Sequence, residues 1–350
     1  MSSKKVFIIG PGYIGWNVAD NLISEGYSVT GFVRRKEHAD QLLASGASDV
    51  VLGDLSDKPL ITKYAAAHDI VIHTATADDM PSVEAVLDAI QQRIVQGMET
   101  IYIHTSGTSV LNDNARGKFK SDKVYSDATP DDIDSVPDDA PHRAIDLKIT
   151  AIRRDLGPKS KIAIMVPPTI YGINPAHKRL SIQFPTITRY ALKHGFAGHI
   201  GDGLPVESNV HVLDLARAYV ILLHHLEKTP AGDPQVLNNP YYFCEASGEN
   251  EPSWKEIATV IGDALHDADL IADPNPRSFP EDSYDDLFQE FTVPVVGLNS
   301  RSRAVRLREL GWKPVEKDWK RSFVEDELPL LLQEEVDRKA FSGYGGTVAS

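Results

Sequence analysis

Gly10, Gly12 and Gly15 stand in the pattern Gly10-Pro11-Gly12-Tyr13-Ile14-Gly15, directly after the apolar run Val6-Phe7-Ile8-Ile9. Such spacing suits the binding of a diphosphate. The first glycine allows a sharp turn, the second lets backbone approach the phosphates, and the third lets the next helix pack close on the strand. Free N–H groups in that helix's first turn then face the anion, with the helix dipole adding to the attraction. His142 and Asp146 form a second reactive set, one helical turn apart and on one face of an expected helix. Histidine exchanges protons near neutral pH, and a carboxylate accepts hydrogen bonds from hydroxyl groups. Ser106, with Thr105 and Thr108 beside it, offers hydroxyls to a substrate oxygen, and Tyr171 offers a phenol. A structural reading stands beside each of these: a glycine turn with no ligand, a His142 that caps or packs, an Asp146 that is surface charge, and no catalysis.

These groups need a scaffold, and the first half of the chain supplies a repeating one. Short apolar strands alternate with amphipathic helices, the pattern of a parallel sheet covered on both faces. After the first strand the reading expects strands over 28–33, 50–52, 69–73, 100–104 and 161–166, and helices over about 81–97 and 142–156. Pro141 stands at the start of the second helix. Strand two ends at Arg34-Arg35, where an acidic residue would take the ribose 2′-hydroxyl of NAD. Guanidinium groups match a 2′-phosphate instead; the plain alternative is two solvated arginines. Asp54 lies where strand three reaches toward an adenine, or is a turn residue. Residues 111–140 are polar, acidic and weakly periodic, so a long insertion over the surface is expected, either covering a site or simply solvated. Farther on, a long helix started by Val210-His211-Val212-Leu213-Asp214 and running to about Leu226, a strand at 241–244 and a Ser253-Trp-Lys-Glu256 capping box are legible. Residues 266–300 give no clear pattern.

Composition narrows the function. Fifty acidic residues against 36 basic ones give a net charge of −14, which repels nucleic-acid backbones and anionic membranes. No apolar run is long enough to span a bilayer, and Met1–Lys5 lead straight into a strand with no signal peptide expected. The single cysteine, Cys244, excludes an intramolecular disulfide and fits a reducing, cytoplasmic setting. His73 and His104 read as structural histidines and His224-His225 as a helix end; no ligand spacing supports a metal. Residues 342–350 read as a frayed tail.

Several motifs in this order resemble the extended short-chain dehydrogenase/reductases, the NAD-dependent epimerase/dehydratases. They are the glycine loop, Asp54-Leu55, His104-Thr105-Ser106, Pro167-x-x-Ile170-Tyr171-Gly172, His211-Val212-x-Asp214-Leu215-Ala216 and Leu310-Gly311-Trp312-x-Pro314. The resemblance implies an α/β fold, a doubly wound Rossmann sheet with a smaller C-terminal substrate lobe. The expected division is 1–170, with 206–246 returning to it, against 171–205 and 247–341. It implies a cofactor cradle of Gly10, Gly12, Tyr13, Ile14, Gly15, Arg34, Arg35, Asp54, Leu55, Thr74, Ala75, Thr76, Thr105, Pro167 and Thr169, with NADP favoured over NAD. It also implies a small-molecule substrate and a possible homodimer.

The family's Tyr-x-x-x-Lys pair is missing. His142 and Asp146 fall on those positions; Ala144 precedes Lys148 by four residues, and Thr129 follows Tyr125 by four. Ile9 replaces the first glycine of the family's G-x-x-G-x-x-G. The expected catalytic set is therefore Ser106, His142, Asp146 and Tyr171, with Gly107 an alternative occupant of the usual serine position. Three functions stay open: an NADP-dependent reductase or dehydrogenase of a small carbonyl or alcohol, a redox-neutral epimerase, dehydratase, isomerase or cyclase, and a non-catalytic NADP-sensing protein.

Overall fold

The computed structural model describes residues 4–336. Seven strands form one all-parallel sheet: β1 Lys5–Ile9, β2 Ser28–Val33, β3 Asp49–Leu52, β4 Ile70–His73, β5 Ile101–Thr105, β6 Lys161–Val166 and β7 Tyr241–Phe243. Their spatial order is β3-β2-β1-β4-β5-β6-β7. Strand order reverses between β1 and β4, and ligands of such sheets bind in the crevice this opens at the carboxyl rim. Every residue of β4, β5 and β6 is buried, as continuous apolar runs require when helices cover both faces. Helices α1 (Gly15–Ser24) and α7 (Val212–Lys228) pack together over one face. Helices α3 (Lys58–Ala66), α4 (Met80–Val95) and α5 (Arg143–Leu156) cover the other, while α2 (Lys36–Ala44) follows β2. Local chemistry starts these helices. Asp79 caps α4 by accepting the Ser82 N–H at 2.8 Å, with Pro81 in its first turn.

A second hydrophobic cluster is built on α6 (Gln183–His194) and α8 (Trp254–Asp267), with Tyr171, Phe279, Phe288 and Phe323. The Ser253–Glu256 capping box is present at the start of α8. Residues 304–312, expected in the second lobe, instead join the first core: Ala304, Leu307 and Trp312 are buried against the sheet layer. Among the described residues no helix is long and apolar enough to cross a membrane. The expected tail, 342–350, lies outside the described residues.

The acidic insertion runs largely over the surface, as expected, but is pinned to the interior at several points. Ala115, Asp127, Ile133 and Val136 are buried, and Tyr125–Ser126 pairs in parallel with Ser302–Arg303. Asp127 explains why. One carboxylate oxygen accepts the Val305 and Arg306 N–H groups at 2.8 and 3.2 Å, and the other accepts the Phe243 N–H at 2.9 Å. The polar sequence carries no sign of this anchor, because a carboxylate surrounded by backbone donors is a tolerable core residue. Burial still pushes its pKa up to about 6 against those hydrogen bonds. Asp127→Ala should therefore lower the unfolding free energy by roughly 3 kcal/mol or more, because three buried donors each lose an acceptor at about 1–3 kcal/mol. Denaturant titration of the two proteins measures it; a loss below about 1 kcal/mol would mean the donors find other partners.

Candidate active site

The glycine loop sits at the mouth of the crevice. Gly10 has φ +76°, and its N–H donates to the Phe32 carbonyl at 3.2 Å. A Cβ on Gly10 would strike the Ala75 backbone, and one on Gly15 would strike the Thr74 hydroxyl. A Cβ on Gly12 would meet little: its nearest atoms, at 3.9 Å, are Arg179 Nη1 and the Gly10 carbonyl oxygen. Close packing at Gly10 and Gly15 and open space at Gly12 are what a diphosphate cradle needs, so these residues fit a dinucleotide. No side chain caps α1; the Trp16 and Val18 N–H groups donate to the Gly12 and Ile14 carbonyls, so a ligand would meet the N–H groups that precede them. The Tyr13 side chain is engaged elsewhere: its buried hydroxyl donates to the Gly172 carbonyl at 2.6 Å.

Around this loop the rim residues differ in what they have free. Thr74 donates to the Gly10 carbonyl at 2.9 Å. Ile14, Thr74, Ala75, Thr76, Thr105, Pro167 and Thr169 all line one cleft of about 250 Å³. Asp54 is exposed and accepts the Ser56 N–H at 3.0 Å, the turn geometry anticipated as its plain alternative. Its hydrogen bonds to Ser56 lower its pKa. Leu55 packs on the first core. Arg34 and Arg35 are exposed at the end of β2.

Beyond β5 the chain turns sharply, held by Ser106 N–H to the Met165 carbonyl at 2.9 Å and Thr108 N–H to the Pro167 carbonyl at 3.0 Å. Thr105 is spent on structure: its hydroxyl donates to the His73 carbonyl at 2.7 Å and meets the Tyr219 hydroxyl at 2.5 Å. Ser106 donates to one oxygen of Asp146 at 2.8 Å. Asp146 is fully buried on α5 and its other oxygen has no partner. Burial raises its pKa to about 7, opposed by the Ser106 hydrogen bond and the nearby His142 and Arg143 charges, with Asp78 acting the other way.

His142 does not share the α5 helix face with Asp146. It precedes the helix in the left-handed region, φ +65°, a costly conformation for a residue with a side chain. The ring is thereby turned to other partners. Its Nε2 lies 2.6 Å from Ser109 Oγ and its Nδ1 2.7 Å from Asp78 Oδ1. A carboxylate only accepts, so in the neutral ring Nδ1 carries the proton and Nε2 accepts from Ser109. The partner of His142 is thus Ser109, where the sequence suggested Ser106. Tyr171 does not reach the cleft either. Its ring stacks on Phe184 in the second core and its hydroxyl donates to the Lys317 carbonyl at 2.9 Å.

Glu207 was not singled out by any motif. It lines the cleft, accepts the Thr169 hydroxyl at 2.5 Å, and burial raises its pKa to about 8. Asp78 and Ser109 were equally silent, since one acid before a helix cap and one serine in a polar loop carry no distinctive spacing. His73 and His104 are fully buried, each bonded through one ring nitrogen, to Ser82 and Tyr102 respectively. Burial lowers the His73 pKa to about 4.

Comparison with known proteins fits this geometry. The pattern of the NAD dependent epimerase/dehydratase family matches residues 6–238. Oxidase ucsJ of Acremonium sp is 29% identical over 369 residues, covering 97% of this chain and all of that protein. Among solved structures, UDP-glucose 4-epimerase of Thermotoga maritima, with UDP-glucose, superposes with a TM-score of 0.64 at 16% identity, covering 95% of this chain and all of that one. The yeast methylglyoxal/isovaleraldehyde reductase Gre2, complexed with NADPH, superposes with a TM-score of 0.59 at 13% identity, covering 95% and 99%. With an all-parallel seven-stranded sheet and this match over most of its length, the chain belongs to the NAD dependent epimerase/dehydratase family and is an NAD(P)-dependent enzyme.

Proposed function

We propose that this protein is an NADP-dependent reductase or dehydrogenase of a small, uncharged carbonyl or alcohol, using Ser109, His142 and Asp78 where its family uses a tyrosine and a lysine. The observation that carries the reading is the unbroken hydrogen-bonded row from Asp78 through His142 to Ser109, ending at the cleft. Names of similar proteins support redox chemistry: one is an oxidase, and another is a reductase bound to NADPH. Arg34 and Arg35 support NADP, since their charge suits a 2′-phosphate. The part of the cleft beyond the cofactor cradle, lined by Ser109, Ile170, Glu207, Pro294 and Val295, holds no lysine or arginine and suits an uncharged substrate.

The bound cofactor supplies or accepts a hydride at the substrate carbon. The chain handles the proton. In the reducing direction Ser109 Oγ–H donates to the substrate oxygen and takes a proton from His142 Nε2–H, whose imidazolium Asp78 stabilises at Nδ1. One carbonyl, one hydride and one proton give the alcohol, and His142 regains its proton from solvent at its partly exposed edge. In the oxidising direction the same atoms carry the proton outward. Ser106 donates its hydroxyl hydrogen bond to Asp146, so its oxygen keeps lone pairs that accept from a ribose or substrate hydroxyl in the cleft.

Turnover of NADPH, followed by loss of its absorbance with a panel of small aldehydes and ketones, is the direct test. Product formed with no net NADPH consumption would favour the redox-neutral reading. His142→Asn keeps a residue that tolerates the left-handed backbone, and it should cut the reduction rate by roughly 10²-fold or more while NADPH affinity holds; Ser109→Ala should do the same. Unchanged turnover in either variant would remove the relay.

A pH signature follows from Asp146. The unfolded carboxyl ionises near its ordinary value of about 3.9, whereas the folded one keeps its proton until about pH 7. Its contribution to stability is therefore fully present below about pH 4 and is lost as pH rises through about 7. Asp146→Asn cannot ionise, so its melting temperature relative to wild type should climb between about pH 5 and pH 8.5. Glu207, Asp127 and the other buried acids are common to both proteins and cancel in that difference. Parallel melting curves across this range would show Asp146 ionised throughout.

A further inference from the structure

Residues 172–181 leave the strand at Thr169–Tyr171 and lie across the first turns of α1. Four ties fasten them there. Tyr13 donates to the Gly172 carbonyl at 2.6 Å, and Asn174 Nδ2 donates to Asn17 Oδ1 at 2.7 Å. The His177 ring stacks on Trp16 with centroids 3.7 Å apart and bonds Asp20 at 2.5 Å. Trp16 in turn donates to Ser45, just past the end of α2, at 2.9 Å. The segment therefore carries Arg179 to a defined place. Its guanidinium lies 4.9 Å over the Trp16 ring, and its Nη1 would be 3.9 Å from a Cβ on Gly12.

That place gathers positive charge. Arg179 is half-buried; burial first and the Arg35 charge second work against its ionised form, with Glu37 opposing. His38 on α2 is pushed toward its neutral form by burial and by Arg179, Arg35 and Arg34, again with Glu37 opposing. None of the three arginines forms an ion pair among the described residues. Like charges converging on a partly desolvated spot repel unless an anion lies between them. The spot adjoins the end of β2 and the outer side of the glycine loop, where a dinucleotide presents the 2′ position of its adenosine ribose.

We propose that Arg179, delivered by the second lobe, is a third ligand of the cofactor's 2′-phosphate beside Arg34 and Arg35, so that NADP bridges the two lobes in a way NAD does not. This inference rests on the NADP reading above. Arginine suits the role through its fork of donors and its ability to stay stacked on Trp16 while binding phosphate.

Calorimetry on the full, ligand-stripped chain tests it with NADPH, NADH and 2′,5′-ADP as titrants. Arg179→Met keeps an unbranched apolar stem over Trp16 and should weaken NADPH and 2′,5′-ADP by about tenfold or more, leaving NADH within about twofold. Arg179→Lys should recover part of the loss, because it keeps the charge without the fork. Trp16 fluorescence in the free variants checks that the segment still covers α1. Equal weakening of NADPH and NADH would overturn the inference in favour of a diphosphate contact, and unchanged affinity for both would leave Arg179 a packing residue. A wild-type chain that binds NADH as tightly as NADPH would instead sink the NADP reading itself. A wild-type preference for NADPH that survives Arg179→Met would sink only the role of Arg179.

Discussion

Backbone N–H groups removed from water must find acceptors, and at several junctions between the loops of this chain the acceptors are carboxylates. Asp127 holds β7 and residues 305–306 to the acidic insertion. Asp214, at the start of α7, accepts the Val315 and Glu316 N–H groups at 2.9 and 3.1 Å, and its carbonyl accepts the buried Trp312 indole. Glu327 accepts the Gly172 N–H at 2.8 Å, and Asp113 accepts from Ala115 and Asn299. All of these bonds except the one from Ala115 join segments far apart in sequence. Without them the loops that wall the cleft would carry unpaired polar groups into the core. The chain's acidic balance is thus partly structural, not only a feature of its surface.

The cleft reuses the same chemistry on side-chain donors. Ser106, Thr169 and the His142 ring each donate a hydrogen bond to a carboxylate, of Asp146, Glu207 and Asp78 respectively. What a serine can offer a substrate then depends on its partner. Ser106 donates to Asp146 and keeps lone pairs free. Ser109 donates to the neutral His142 ring, and in the protonated ring it accepts from Nε2–H and has its own proton free for a substrate oxygen. Burial adds to the contrast by holding Asp146 and Glu207 near or above neutrality, where carboxyls in water are ionised.

Strain marks the same site. His142 occupies a left-handed backbone position, and only the lead-in to α5 at that angle aims its ring away from Asp146 and toward residues 78 and 109. Had the helix begun one residue earlier, with ordinary angles, His142 and Asp146 would have lain on one face, as their spacing alone suggests.

The parallel sheet, the glycine loop and the charge at the end of β2 were legible in the sequence, because each depends on residues adjacent in the chain. Alternating apolar runs fix strand and helix by period, and Gly10, Gly12 and Gly15 declare a steric need that a neighbouring strand imposes. The capping box at Ser253 is local in the same sense. Tertiary structure alone decided which hydroxyl meets which acid, that Tyr171 turns into the second core, and that Asp127 and residues 304–312 are interior. It alone brought Arg179 over Gly12. Those outcomes depend on where distant segments pack, and a polar residue's sequence neighbours do not record which buried donor or acceptor it will face.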